Sequence, residues 1–416
     1  MAFALKGLIG PRIVAAFGAL SFIGLCFAFS TNPRAVRLRT LGTGIALQLG
    51  LALFVLKTEL GHSIFSTLGD GVKRFLDFTD AGSRFVFGAL ADPVAMDQVF
   101  GVGKGFVFAF RALPTIVFVS AFFAILYHLG VLQWVVRGMA RVMMTIMGVS
   151  GAESLSGAAN IFMGQTEAPL IVKPYVDGMT RSELLAVMVG GFGTMAAGIM
   201  AVYIDMGVDA TLLLTASVMA APASLVVAKI LFPEQEEPQT AGQVETVVER
   251  REANAVDALS QGAADGMRLA INVAAMLIAF LALIAMLDFL LAYVDLSLSQ
   301  IFGWVFSPLA FLAGVPEGQI MGVGDLLGTK LVTNEFVAYV NLTGKYAPVL
   351  GPRAMAIATV ALCGFANFGS LGIQIGGIGG MAPKRRGDLA RLGARALFGG
   401  FLVTLYNAAI VGVLIA

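Results

Sequence analysis

Residues 156–170 read SGAANIFMGQTEAPL. Asn160, Met163, Gly164 and Glu167 fall at i, i+3, i+4 and i+7, the spacing of one helical face. Pro169 disfavours α geometry at Ala168, so the helix is expected to stop between Gly164 and Pro169. In water such a stop is an ordinary loop with a capping acid. At membrane depth it leaves amides and carbonyls unpaired, which is tolerated only where they line a protein cavity or water. Freed groups of that kind serve a cation or a polar solute.

The rest of the chain decides between the two. Of 416 residues, 58% are apolar and only 13% are charged, against ~25% charged in soluble domains. The 27 Lys and Arg and 26 Asp and Glu are too few to solvate a soluble surface of this length. The net charge of +1 carries no basic footprint for nucleic acid. Cys26 and Cys363 lie in separate apolar runs, as packing residues do, and two histidines are too few for a histidine zinc site. The chain reads as an all-α polytopic membrane protein.

Runs free of Asp, Glu, Lys and Arg that suit a ~30 Å hydrocarbon layer are 13–33, 40–56, 112–136, 184–204, 210–228, 269–287, 296–316, 354–383 and 396–416. Pro308 interrupts 296–316 and Pro316 ends it, so it reads as interfacial or re-entrant, leaving eight spans. Alternation then places Arg34, Arg37 and Arg39, Arg137 and Arg141, and the cluster from Lys384 to Arg395 on one side, the cytoplasmic one. Both termini are expected outside, and the polar insert 233–262 inside as a solvated linker. Lys6 and Arg12 precede an apolar run too long for a signal peptide, so a retained first helix is expected. In 57–111, charges alternate with Phe and Leu, as in helices lying along a membrane surface.

Four parts occur twice in the same order. The span 112–136, the broken stretch 142–175 and the spans 184–204 and 210–228 form one set. The span 269–294, the broken stretch 318–349 and the spans 354–383 and 396–416 form the other. Gln165-Thr166-Glu167 in the first matches Thr333-Asn334-Glu335 in the second. The sets start on opposite sides of the bilayer, so they are inverted repeats, the sequence pointer to a secondary transporter with its site near the midplane. No Lys or Arg lies within a turn of Glu167 or Glu335, and Lys173 and Lys330 are expected nearer the surface. An acid at membrane depth costs at least ~2.5 kcal/mol. The two acids should therefore meet a cation, a proton or the donors of a neutral solute. Asn367 and Ser370 share a face at i, i+3 and, like Thr194, are mid-span polar groups that also serve as helix–helix glue.

Two protease strings need weighing. Gly148-Val149-Ser150-Gly151 lacks a histidine after its serine, and Gly322-Val323-Gly324-Asp325 lacks an upstream Tyr-Asp partner. Intramembrane proteolysis is set aside, so no enzyme is expected. A channel would need a ring of filter residues rather than two inverted half-sites with acids.

AANIFMGQTEAPLIVKPYV, NEFVAY, ALCGFANFGSLG and APKRRGDLARLGARAL together resemble the concentrative nucleoside transporters, most closely the bacterial, sodium-coupled members. The likeness runs along nearly the whole chain. It implies a homotrimer in the lipid bilayer of the bacterial inner membrane, no organic cofactor, and import of nucleosides such as uridine by sodium symport. Proton coupling is the alternative in the same fold. It implies an elevator in which a transport domain slides on a scaffold. The scaffold would comprise 1–136 and 263–295. The first transport repeat would be 137–232 and the second 296–416, joined across the linker 233–262. Carried over by residue, Gly164, Gln165, Thr166 and Glu167 face the nucleobase. Glu335, Asn367 and Ser370 hold ribose hydroxyls, and Phe365 and Ile199 pack on the substrate. Asn160 and Thr194 offer side-chain oxygens, and Met163 and Met195 carbonyls, to sodium. A serine is usual in the family where Thr194 stands, and the hydroxyl is retained.

Overall fold

The computed structural model describes residues 10–101, 107–242 and 252–415. Lys6, the chain ends and linker residues 243–251 lie outside the described residues. Among the described residues every regular element is a helix.

The chain opens with α1 (Pro11–Ala28) and α2 (Leu38–Lys57). Pro11 sits in the first turn of α1, where its missing amide leaves no bond unmade. The mixed region forms α3 (Glu59–Asp77), α4 (Thr79–Phe87) and α5 (Pro93–Phe100), with Leu60, Leu68 and Phe85 exposed. Next come α6 (Phe108–His128) and α7 (Val131–Met147). Gly130, at φ 78°, adopts the left-handed turn between them. The expected span 112–136 is therefore two elements, and 142–147 of the expected broken stretch 142–175 belongs to α7.

The first repeat runs through α8 (Gly151–Ala159), short helices α9 (Ala168–Ile171) and α10 (Lys173–Val176), then α11 (Arg181–Gly193), α12 (Ala197–Asp205) and α13 (Ala210–Leu231). After the linker, α14 (Ala255–Leu291) and α15 (Leu298–Leu312) lead to the second repeat. That repeat comprises α16 (Ile320–Val332), α17 (Glu335–Thr343), α18 (Pro352–Leu362), α19 (Phe368–Met381) and α20 (Arg386–Leu414). Each repeat is a hairpin, a split helix and a whole helix, in that order.

Several sequence expectations change here. The runs 184–204 and 354–383 are not continuous. Thr194–Ala196 separates α11 from α12, and Cys363–Asn367 separates α18 from α19. Apolarity alone does not reveal such a split, because both halves remain apolar. Among the described residues seven segments are long and apolar enough to cross a membrane, counting Arg181–Asp205 as one; the split α18–α19 pair is shorter in each part. With its 15 residues, α15 reaches only about 22 Å, short of a full crossing as expected, and Pro308 sits inside it. The linker is shorter than 233–262, because Asn254 caps α14 through the amides of Val256 and Asp257. Its first part is not free in solvent. Thr240 accepts from the amides of Gly151 and Ala152 at the start of α8, and Glu234 binds Lys229 and Thr180.

Packing divides the helices unevenly. α14 lies along α6 and keeps nearly all its apolar surface outward, with Ile278 and Phe289 exposed. Gly262 and Gly266 permit that contact. A Cβ on Gly266 would stand 2.8 Å from Val117 Cα, and one on Gly262 2.8 Å from Ala121 Cα. This is the small-residue seam of membrane helix pairs. α1 packs on α20 and α15, and α2 on α13, so both sit with the repeats rather than with α6 and α14. α11, α13 and α20 form the buried centre.

Candidate functional site

The site is built where the two split helices cross. The amide of Phe365 donates to Thr194 O at 3.1 Å, so the break of one repeat lies on the break of the other. Gly364 allows the approach: a Cβ there would stand 2.8 Å from Phe192 O.

The polar residues around this crossing owe their places to helix starts. Asn367 caps α19, its Oδ1 accepting from the Ser370 amide at 2.8 Å. That leaves its Nδ2 to donate to Glu335 Oε2 at 2.9 Å. Asn334 caps α17 through the Val337 amide, which places Glu335 at the first helical position. A carboxylate there faces the positive end of the helix dipole. Tyr203 OH reaches Glu335 Oε1 at 3.5 Å and stacks on Tyr339, whose OH donates to Thr359 O. Ser370 Oγ accepts from Gln165 Nε2 at 3.1 Å, and Gln165 Oε1 accepts from Gln374 at 3.1 Å. Gln165, Ser370, Asn367 and Glu335 thus form one buried polar line from the first hairpin to the second.

Helix α8 ends at Ala159, and residues 160–167 are turns and irregular backbone, so Asn160, Met163, Gly164 and Glu167 do not share a helical face. The break came earlier than Pro169 alone required. Glu167 is exposed and receives a hydrogen bond from Thr166 at 3.0 Å; among the described residues no hydrogen bond joins it to the Gln165–Glu335 line. Thr166 packs its methyl toward α19, where a Cβ on Gly377 would meet it. Gly164 is buried at the tip, facing Glu167 and Ala196. Glu167, Gly164 and Met163 line a cavity of about 500 Å³ between the first hairpin and helices α6 and α14; Ser120, Tyr127, Lys173 and Asp265 also line it. Ile199 is buried on α12 and Phe365 is half-buried at the crossing.

The residues expected at a cation lie beside the same crossing. Asn160 is fully buried against Gly190: its Nδ2 donates to Ser156 O, and its Oδ1 has no hydrogen-bond partner among the described residues. Thr194 Oγ1 donates to Gly190 O at 2.8 Å, which leaves its lone pairs free of that bond. Met195 is buried and Met163 half-buried. A buried unpaired oxygen beside a helix break is a fitting ligand for a hard cation.

Sequence reasoning missed three groups here. Gln374 follows Ser370 by one turn on α19, a spacing that could have flagged it. Tyr203 gave no local signal. Lys330, expected near the surface, is fully buried. Lys173 is half-buried on the cavity of Glu167. The protease strings are structural. Ser150 is the N-cap of α8 in a reciprocal box with Glu153. Asp325 is held by Ser299, Tyr346 and Lys345 inside the second hairpin.

Comparison with known proteins fits this architecture. Residues 212–412 match the family described as Na+ dependent nucleoside transporter C-terminus, 17–90 its N-terminus, and 109–210 a nucleoside recognition Gate. An uncharacterized transporter of Haemophilus influenzae is 44% identical, covering 96% of each chain. Sodium/nucleoside cotransporter 1 of Mus musculus is 41% identical over 97% of this chain and 64% of its own length. The structure of CNTnw in an inward-facing substrate-bound state, 42% identical, superposes with a TM-score of 0.93 over 97% of this chain and 98% of that one. An outward-facing CNTnw variant, 40% identical, gives 0.91 over 97% of each. The chain is a multi-pass membrane protein and a transporter rather than an enzyme, and it belongs to the Na+-dependent, concentrative nucleoside transporter family.

Proposed function

We propose that this chain imports nucleosides by sodium symport, and that the substrate meets the buried line Gln165–Ser370–Asn367–Glu335. That line is the observation that carries the reading: it joins both hairpins where both repeats break. Glu335, Asn367 and Ser370 accept and donate to the ribose hydroxyls. A carboxylate is the stronger acceptor for them. Gly164, Gln165, Thr166 and Glu167 address the nucleobase, with Phe365 and Ile199 packing on it. Asn160 Oδ1, Thr194 Oγ1 and the carbonyls of Met163 and Met195 hold sodium. Binding of the ion would satisfy the orphaned Asn160 oxygen and order the first hairpin against α11, which couples ion to substrate. One charge entering down 100 mV releases about 2.3 kcal/mol, enough for roughly 40- to 50-fold accumulation.

In this reading the scaffold expected over 1–136 and 263–295 is narrowed to α6 and α14, since α1 and α2 pack with the repeats. These two helices stay fixed and the repeats slide along them, a boundary on which the cavity of Glu167 lies. The outward face of α14 meets lipid and two further copies in a homotrimer. The protein would sit in a bacterial inner membrane with both termini outside, an orientation that the basic clusters support.

Uridine uptake into proteoliposomes tests the proposal. An inward sodium gradient should drive it and choline at equal pH should not. Uptake driven by a proton gradient alone would keep the pocket and move coupling to Glu167 or Glu335. Failure of every nucleoside under both gradients would overturn the proposal.

A further inference from the structure

Each repeat brings the C-terminal ends of two half-helices to its break. In the first, α8 and α11 end at Ala159 and Gly193; in the second, α16 and α18 end at Val332 and Leu362. The final carbonyls of such ends lack intrahelical donors and carry the negative end of the helix dipole. Away from water, two converging ends favour a positive charge between them. The first repeat places neutral Asn160 there, close against Gly190 of α11. The second places Lys330. Its Nζ, in the last turn of α16, donates to Ala361 O of α18 at 2.8 Å and to Thr404 Oγ1 of α20 at 2.9 Å. The Phe401 ring lies 5.7 Å away. Lys330 is 0% exposed. Its hydrogen-bond partners are neutral, and the buried Glu335 carboxylate is close enough to interact with its charge. A lysine buried to that degree is costly unless its charge is used.

We infer that Lys330 is a tethered cation, doing for the second repeat what sodium does for the first, and that it confines ion coupling to one site. The inference rests on the sodium reading of Asn160 and Thr194. It makes Lys330 a positioning residue: it fixes the end of α18 just before the Cys363–Asn367 turn that carries Phe365 and Asn367. No substrate contact is required of it.

Lys330→Gln keeps a donor and most of the volume, removes the charge and adds a side-chain oxygen beside Ala361 O and Thr404 Oγ1. An added sodium ion should then take the vacated role. In uridine uptake the Hill slope for sodium should rise from near 1 toward 2, and half-saturating sodium should rise about tenfold. Purified Lys330→Gln protein without nucleoside should gain more thermal stability from sodium, relative to choline, than the wild type does. Lys330→Arg keeps the charge and should keep the wild-type sodium curve. A sodium-dependent wild type whose Gln variant retains the same slope and the same sodium stabilisation would overturn the inference alone. So would an Arg variant with a steepened slope, which decides the matter should the Gln variant fail to accumulate. A wild type indifferent to sodium would instead remove the reading of the first repeat, and this inference with it.

Discussion

Glu335 and Asn160 are the residues whose surroundings demand something further. Glu335 is buried, accepts from the Asn367 side-chain amide, a backbone amide and, at longer range, the Tyr203 phenol, and feels the charge of Lys330. A carboxylate has lone pairs beyond these for a substrate hydroxyl. Glu335→Gln keeps the shape and loses the charge. Hydrogen bonds to charged groups are worth about 1.5–3 kcal/mol, so uridine affinity by calorimetry is expected to fall by at least about tenfold. Binding equal to wild type would dismiss the ribose role. Asn160 offers one unpaired oxygen. Asn160→Ala removes it and should raise half-saturating sodium about tenfold while leaving uridine affinity at saturating sodium near wild type. An unchanged sodium curve would take Asn160 out of the ion site. At this scale the sequence was legible in residue type but not in geometry. Asn367 and Ser370 do belong together, yet as an N-cap and its third helical residue, not as neighbours on a continuous face. Spacing of i, i+3 describes both arrangements.

Elements were legible where apolarity and length suffice and obscure where the backbone breaks. The apolar runs mark the membrane helices, and the polar insert marks the joint between repeats. The splits after Gly193 and Leu362 were hidden, because a broken helix facing protein needs no polar sequence, only partners for its freed groups. The seam between α6 and α14 was present in the sequence as Gly262 and Gly266, four apart, but small residues are common among 50 glycines. It carries a sharp test. A methyl on Gly266 would stand 2.8 Å from both Ser120 Cβ and Val117 Cα, whereas one on Gly138 of α7 meets nothing within 4 Å. Gly266→Ala should destabilise by about 1–3 kcal/mol through overpacking. Gly138→Ala should be neutral or stabilising by up to about 1 kcal/mol through helix propensity. Thermal midpoints in detergent that move in the same direction for both would refute the close seam.

For the whole molecule the question is what holds the repeats against α6 and α14. Arg111 of α6 reaches Asp205, at the end of α12, at 3.4 Å, and Asp80 of α4 at 3.9 Å. All three side chains are part-buried, between 17% and 32% exposed, so the pairing is weaker than a fully buried one and stronger than one on an open surface. If the repeats slide along α6, the Arg111–Asp205 pair must open in each cycle, whereas the α6–α14 seam need not. Asp205→Asn should therefore destabilise the present arrangement by up to about 1 kcal/mol, shifting a two-state equilibrium by up to about fivefold. Distances between dyes on Asp295→Cys, after α14, and Met206→Cys, after α12, would read that shift. Cys26 and Cys363 are buried and should label slowly. Two distance populations are expected, with the second enriched in Asp205→Asn. A single distance in both proteins would rule out sliding of the repeats, and two populations in unchanged proportion would leave the sliding and remove Arg111–Asp205 as its latch.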